Sequence, residues 1–185
     1  MTFTVRRART SDVRAIQELI APHVVERAIL DKDPVVLYES IQQFLVVEDS
    51  AGTVVGCGAV HVMWEDLGEV RTLIVANDVR GTGVGRMLLS ALEDAARELG
   101  LQRLFCLTFQ TDFFRAAGYI PIGEAGDDLT NSEGRPLVDH EGRLLVSPDV
   151  YAELMRSPDE GIAEFLDLAH VKPNTLGNTR MLKLL

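Results

Sequence analysis

Cysteine is scarce in this chain: Cys57 and Cys106 are the two, in separate apolar stretches. They form no CxxC pair and cannot build a disulfide framework, so two buried thiols in a reducing compartment are expected. Histidine is nearly as sparse, and His23, His61, His140 and His170 show no HExxH or other ligand spacing, which offers no metal site. No apolar run approaches the ~20 residues of a bilayer span. The segment from Met1 to Arg7 lacks the apolar core of a secretory signal. Positive charge is in deficit, with 18 Lys plus Arg against 28 Asp plus Glu and a formal net charge of −10. A field of that sign repels nucleic acid and anionic membrane surfaces. A soluble cytoplasmic protein is expected, with no nucleic-acid, membrane or metal partner.

What is present is enough for one domain. The chain has 185 residues, of which 46% are apolar and 25% charged, so it can bury a core and is not disordered throughout. Phe3 to Ala8 reads as a strand. Thr10-Ser11-Asp12 supplies cap chemistry for a helix with Val13, Ile16, Leu19 and Ile20 on one side, closed or bent at Pro22. Asp33-Pro34 starts a second helix, with Leu37, Ile41 and Phe44 apolar. Phe44 to Glu48 and Thr53 to Met63 are strands joined by Asp49-Ser50-Ala51-Gly52, which makes a hairpin. Glu69 to Val75 is another strand. An amphipathic helix follows with Val84, Leu88, Ala91, Leu92, Ala95 and Leu99 on one face, stopped by Gly100. Arg103 to Thr108 is a strand buried on both faces. Thr111 to Ala117 is a short helix, and Tyr119 begins an extended piece. Gly123 to Gly142 is acidic, glycine-rich and poor in apolar residues, which reads as a surface insertion. Helices are expected from Pro148 through Met155 and from Glu160 to Leu168, and a strand from Asn178 to Leu185. Mixed α/β character with an antiparallel hairpin block excludes a helical bundle.

One loop carries chemistry. Arg80-Gly81-Thr82-Gly83-Val84-Gly85-Arg86 sits between a strand and a helix. Glycines let backbone approach a ligand, and a helix start offers N–H groups and the positive end of its dipole. Together they form a seat for a diphosphate. A P-loop is excluded because no Lys-Ser or Lys-Thr follows, and a dinucleotide fingerprint fails because Gly85 arrives one position early. The pattern Arg80-x-x-Gly83-x-Gly85 resembles the acetyl-CoA pyrophosphate loop of the GNAT N-acetyltransferase superfamily. Phe113-Phe114-Arg115-Ala116-Ala117-Gly118-Tyr119 is similar to that superfamily's aromatic-rich helix ending in Gly-aromatic.

Further stretches resemble the short, stand-alone N-acetylglutamate synthases of arginine biosynthesis: Ile29-Leu30-Asp31-Lys32, Val55 to His61, Asp66 to Thr72, Arg103 to Phe109, Ala163 to Leu168, and Val171 to Leu182. The match spans nearly the whole chain except Gly123–Gly142. This resemblance implies a single α/β GNAT domain over 1–185, with a mixed, mostly antiparallel sheet, a splayed central strand pair and helices on both faces. It implies acetyl transfer from acetyl-CoA to the amino group of L-glutamate. Leu73 and Val75 would pair with the pantetheine arm through their backbone. Gly81, Thr82, Gly83, Val84 and Gly85 would hold the diphosphate, with Arg80 and Arg86 as local positive charge. Lys32, Arg71 and Arg180 would take the two carboxylates of glutamate, helped by Asn178 and Thr179. Glu69 would be the general base, directly or through a water, and the amide near Leu73 would polarise the thioester carbonyl.

The tyrosine that many GNAT enzymes use as general acid is replaced here by Phe113 and Phe114. Thr108 or Thr111 takes its place, or the thiolate leaves without protein help; Tyr38 and Tyr119 read as core. A homodimer is expected by the same resemblance. Two other readings stay open: another small amine or amino acid such as glutamine as acceptor, and a non-catalytic acyl-CoA sensor.

Overall fold

The computed structural model describes residues 2–26, 32–121, 146–166 and 178–185. Contacts divide the chain into two units, Met1–Leu104 with Leu184–Leu185, and Phe105–Lys183. The Gly123–Gly142 segment, Ile29 to Asp31 and the stretch 171–177 lie outside the described residues. No helix among the described residues is long and apolar enough to cross a membrane.

In the first unit, β1 (Thr4–Arg7), β2 (Phe44–Glu48), β3 (Val54–Val62) and β4 (Leu67–Val75) pair in that order, each antiparallel to the next. Asp49 closes the β2–β3 hairpin: its Oδ1 accepts the N–H groups of Ala51 and Thr53 at 2.8 and 2.9 Å. Two helices, α1 (Val13–Val25) and α2 (Pro34–Ser40), cover one sheet face. Val13, Ile16, Ile20 and Leu37 meet Phe44, Val46, Cys57, Ala59 and Ile74 in one buried cluster. The third helix, α3 (Val84–Glu98), packs on the other face. Gly58 points there, where an added Cβ would stand 2.7 Å from Leu92 Cδ1 and 3.3 Å from Leu73 Cδ1.

Several local expectations need correction. The buried stripe of α3 is Val84, Leu88, Leu89, Leu92, Glu93 and Ala96. Leu99 is 60% exposed, because it follows the last helical residue, Glu98, beyond the packed turn. Pro22 does not stop α1, which runs on to Val25. Asp33 does not cap α2 with its side chain, and Asp12 caps only the 3-10 turn Thr10–Asp12 that leads into α1, by accepting the Arg9 N–H. Tyr38 is exposed rather than core, on the outer side of α2. β4 begins at Leu67, two residues before Glu69.

The Asp12 carboxylate has other work. It accepts the Arg9 N–H at 2.7 Å and both ends of the Arg6 guanidinium, at 2.7 and 3.0 Å. Arg6 also binds Glu48 across the β1–β2 pair. This ties the entry of α1 to the sheet edge. The Arg6 hydrogen bonds hold the Asp12 carboxyl below its usual range. A depressed carboxylate contributes stability above its unfolded value, about 3.9, and loses it as pH falls through the native value. Asp12→Asn is therefore expected to cost about 1–3 kcal/mol at neutral pH and to flatten the acid loss of stability below about pH 4. Urea unfolding of both proteins at pH 7 and pH 3 checks this; equal stability at pH 7 would count against it.

The second unit contains most of β5 (Arg103–Thr108), then α4 (Thr111–Arg115), β6 (Ile120–Pro121), α5 (Pro148–Leu154), α6 (Glu160–Phe165) and β7 (Thr179–Leu184). β7 lies between β5 and β6 and runs antiparallel to β6. Aromatic edges build its core. Phe105 meets Phe165 at 5.2 Å, and Phe114 meets Tyr119 at 5.0 Å, both T-shaped. Tyr119 is thus core, as its sequence context suggests, and precedes β6 rather than opening it. Asp159 caps α6 by accepting the Gly161 and Ile162 N–H groups at 2.9 and 3.1 Å.

Candidate active site

β4 does not run evenly beside β3. Ala59 faces Arg71 and Cys57 faces Ile74, so Thr72 and Leu73 together oppose Gly58. That is a β-bulge. Thr72 sits there at φ 56, a left-handed conformation that β-branched residues rarely adopt. Such outliers persist only where surrounding packing enforces them. Here Gly58 leaves room for the bulged chain beside Leu92. The bulge reorients the peptides just past Arg71, where the Leu73 amide is expected to act.

Ahead of the bulge, the ladder is regular and lines up polar residues on one face. His61 stands opposite Glu69, and Ala59 opposite Arg71. Glu69 is 5% exposed. Its carboxylate accepts the Arg71 Nε–H at 2.5 Å. Above this face is a cavity of about 130 Å³, lined by Lys32, Ser40, Gln43, His61, Arg71 and Thr72 among its polar residues, with Val36, Phe44 and Ala59. The structure therefore brings Lys32 and Arg71 to one cavity, with Glu69 paired to Arg71. His61, given no role on sequence grounds, also lines this cavity. The signal existed: His61 and Glu69 are equidistant from the β3–β4 turn, where Met63 and Trp64 N–H groups both reach Leu67 O at 2.9 Å. The Cys57 thiol, deep in the same core, is pushed up to about 12 by burial and is no nucleophile.

The glycine loop leads into α3. Gly81 and Gly83 take φ +78 and +91, and Gly83 is the residue immediately before the helix. The first helical bond runs from the Met87 N–H to Gly83 O at 3.0 Å, so the N–H groups of Gly83, Val84 and Gly85 precede the ladder. Thr82 turns its hydroxyl inward, donating to Val79 O at 2.6 Å. Gly81, Thr82, Gly83, Arg80 and Arg86 are exposed. Arg80 reaches back to His23 Nε2 at 3.5 Å. The loop thus joins main-chain N–H groups at a helix start to two flanking guanidinium groups, the chemistry expected of a diphosphate seat.

Comparison with known proteins accounts for this arrangement. The model of the acetyltransferase (GNAT) family matches residues 13–120, a span that includes α1, the bulged strand, the glycine loop and α4. The chain belongs to the GNAT family. This GNAT protein is 47% identical to an amino-acid acetyltransferase of Mycobacterium tuberculosis over 183 residues, 98% of this chain and 94% of the relative. It is 36% identical over 144 residues to an amino-acid acetyltransferase of Ralstonia nicotianae, covering 31% of that longer protein. A crystal structure of a Mycobacterium tuberculosis protein in complex with CoA and NLQ superposes with a TM-score of 0.82, at 45% identity, over 98% of this chain and 99% of the other. The N-acetylglutamate synthase of Neisseria gonorrhoeae, complexed with coenzyme A and N-acetyl-glutamate, shares the fold at a TM-score of 0.72 and 21% identity, over all of this chain and 35% of its own.

As a GNAT member the chain has the α/β fold expected, and it is an acyltransferase with acetyl-CoA as donor. No group of three or more His, Cys, Asp or Glu that could hold a metal occurs among the described residues. The remaining candidates of this GNAT domain lie in the second unit. Thr108 ends β5, is 8% exposed, and accepts the Gln110 N–H at 2.9 Å. That bond leaves its hydroxyl proton available to donate. Thr111 opens α4. Asn178, Thr179 and Arg180 stand half-buried at the start of β7.

Proposed function

We propose that this GNAT enzyme is an amino-acid N-acetyltransferase whose acceptor is L-glutamate, which makes it an N-acetylglutamate synthase at the entry to arginine biosynthesis. The observation that carries the reading is the cavity where Lys32 and Arg71 meet beside buried Glu69. In a chain of net charge −10, two cations on one concave surface match an acceptor with two carboxylates. The names of the Mycobacterium and Ralstonia relatives support the amino-acid class.

The chemistry follows from the residues around the bulge. The N–H groups of Gly81 to Gly85 hold the diphosphate of acetyl-CoA, beside Arg80 and Arg86. Backbone groups of Leu73 and Val75 hold the pantetheine arm. Acetyl-CoA brings an activated thioester carbonyl, and the Leu73 amide stabilises the oxyanion that forms there. The negative charge of Glu69 drives loss of a proton from the acceptor ammonium. Lys32 and Arg71 orient the acceptor.

An acceptor screen tests this. With acetyl-CoA and a panel of amino acids, glutamate should release CoA fastest, and Arg71→Ala should raise the glutamate KM about 10-fold or more, the loss of one charged hydrogen-bonded contact. Release with glutamate no faster than with alanine would sink the reading. Glutamine is the second acceptor to test, because the neutral polar groups of Ser40 and Gln43 share the same cavity.

A further inference from the structure

The Lys32–Arg71 cavity has an imidazole on its wall. His61 stands opposite Glu69 in the ladder, and directly opposed residues of an antiparallel pair carry Cβ atoms about 4.5–5.5 Å apart on one face. His61 is half-buried. It lines a second cavity as well, of about 260 Å³, walled by Leu45, Val60, Val62, Ala95 and Leu99. Val62 and Leu99 are 49% and 60% exposed, so this second space reaches solvent. His61 and Gln43 are common to both cavities. The imidazole, on the sheet face that carries Glu69 and Arg71, therefore stands on the wall of the acceptor's cavity, while Val60 and Val62 turn to the opposite face and the second space.

Glu69 is less suited to end the proton's path. It is nearly buried, and its carboxylate is engaged with the Arg71 guanidinium. An imidazole lone pair can take the proton while the Glu69 carboxylate stays in its ion pair with Arg71. Resting on the reading that the acceptor occupies the Lys32–Arg71 cavity, we propose that His61 is the catalytic base that takes the acceptor's ammonium proton, and that Glu69 is the positioning carboxylate that stabilises the resulting imidazolium. One proton passes from the ammonium to the imidazole. The freed nitrogen lone pair forms the C–N bond to the acetyl carbon, and the C–S bond breaks with its electrons on sulfur. The second nitrogen proton ends on that sulfur, giving the thiol. The imidazolium then gives its proton to solvent, so one proton is released per turnover.

The charged groups around His61 are Glu69 and Arg71 from β4, Lys32 ahead of α2, and Arg7 of β1 across the second cavity.

The test uses the full-length enzyme, with glutamate kinetics measured across pH 5–9. His61→Gln should lower kcat about 10²–10³-fold, change the glutamate KM little, and abolish the acidic limb of the kcat/KM profile. Glu69→Gln should keep that limb, because the imidazole it reports is still present. A limb that survives His61→Gln, or one that vanishes in Glu69→Gln while His61→Gln keeps it, overturns the proposal and makes Glu69 the base. If His61→Gln fails to fold, His61→Asn with added imidazole decides: restored turnover supports the assignment, and no restoration overturns it. The underlying cavity reading fails separately, by an unchanged glutamate KM in Arg71→Ala whatever the His61 variants do.

Discussion

Glu69→Gln is expected to lower kcat by about 10²–10³-fold, within the range for loss of acid–base catalysis, while acetyl-CoA affinity stays within about threefold of the parent protein. The substitution is nearly isosteric. The amide oxygen can still accept from Arg71, as the carboxylate does at 2.5 Å. What disappears is the negative charge at a site only 5% exposed, where water cannot replace it. The ammonium then keeps its proton longer, and the attacking lone pair is rarer. Binding of the donor depends on the glycine loop, which Glu69 does not enter. Steady-state CoA release, paired with calorimetric titration of CoA, separates the two quantities. An unchanged kcat would remove Glu69 from the chemistry. Arg71 would keep a neutral partner in place of a charged one, which should also cost about 1–3 kcal/mol of stability, so thermal unfolding belongs beside the kinetics.

Gly83→Val should raise the acetyl-CoA KM by about 10-fold or more, corresponding to at least about 1.4 kcal/mol. Space is not the reason, since a Cβ built on Gly83 meets nothing within 4 Å. Conformation is. Gly83 holds φ +91 at the entry to α3, where an ordinary L-residue costs about 1–2 kcal/mol and a β-branched one more. Relief of that strain rotates the peptide that presents the Val84 and Gly85 N–H groups, and their convergence on one anion is lost. Gly83→Asn should do less harm, because asparagine tolerates the left-handed region. Glutamate KM should hardly move in either variant. Donor affinity in Gly83→Val equal to that of the parent would mean the loop does not seat the diphosphate.

Much of this was readable along the chain. The Asp49–Gly52 hairpin, the strand-loop-helix around Gly83 and the aromatic run at Phe113–Tyr119 are local patterns, and each formed close to its expected place. Hairpin register follows from turn position, so even the His61–Glu69 pairing lay within reach once the β3–β4 turn was set. The stripe of α3 was read less well. Helical spacing put Leu99 on the buried face and passed over Leu89, yet Leu89 is buried and Leu99 exposed, because the sheet's footprint ends before the helix does. Asp12 does supply cap chemistry, at the 3-10 turn before α1, but Arg6 and Glu48 also draw it into an ion cluster that no local rule contains.

By itself, then, the order of residues determined most secondary elements, the glycine loop ahead of α3 and the family, because each depends on neighbours a few positions apart. Tertiary structure alone decided the left-handed turn at Thr72, the pairing of Arg71 with Glu69 beside the Lys32 cavity, and the place of His61 on that cavity's wall. Those features arise where β3 and β4 must bulge past Gly58 under the packing of Leu92, a constraint set by segments distant in the chain.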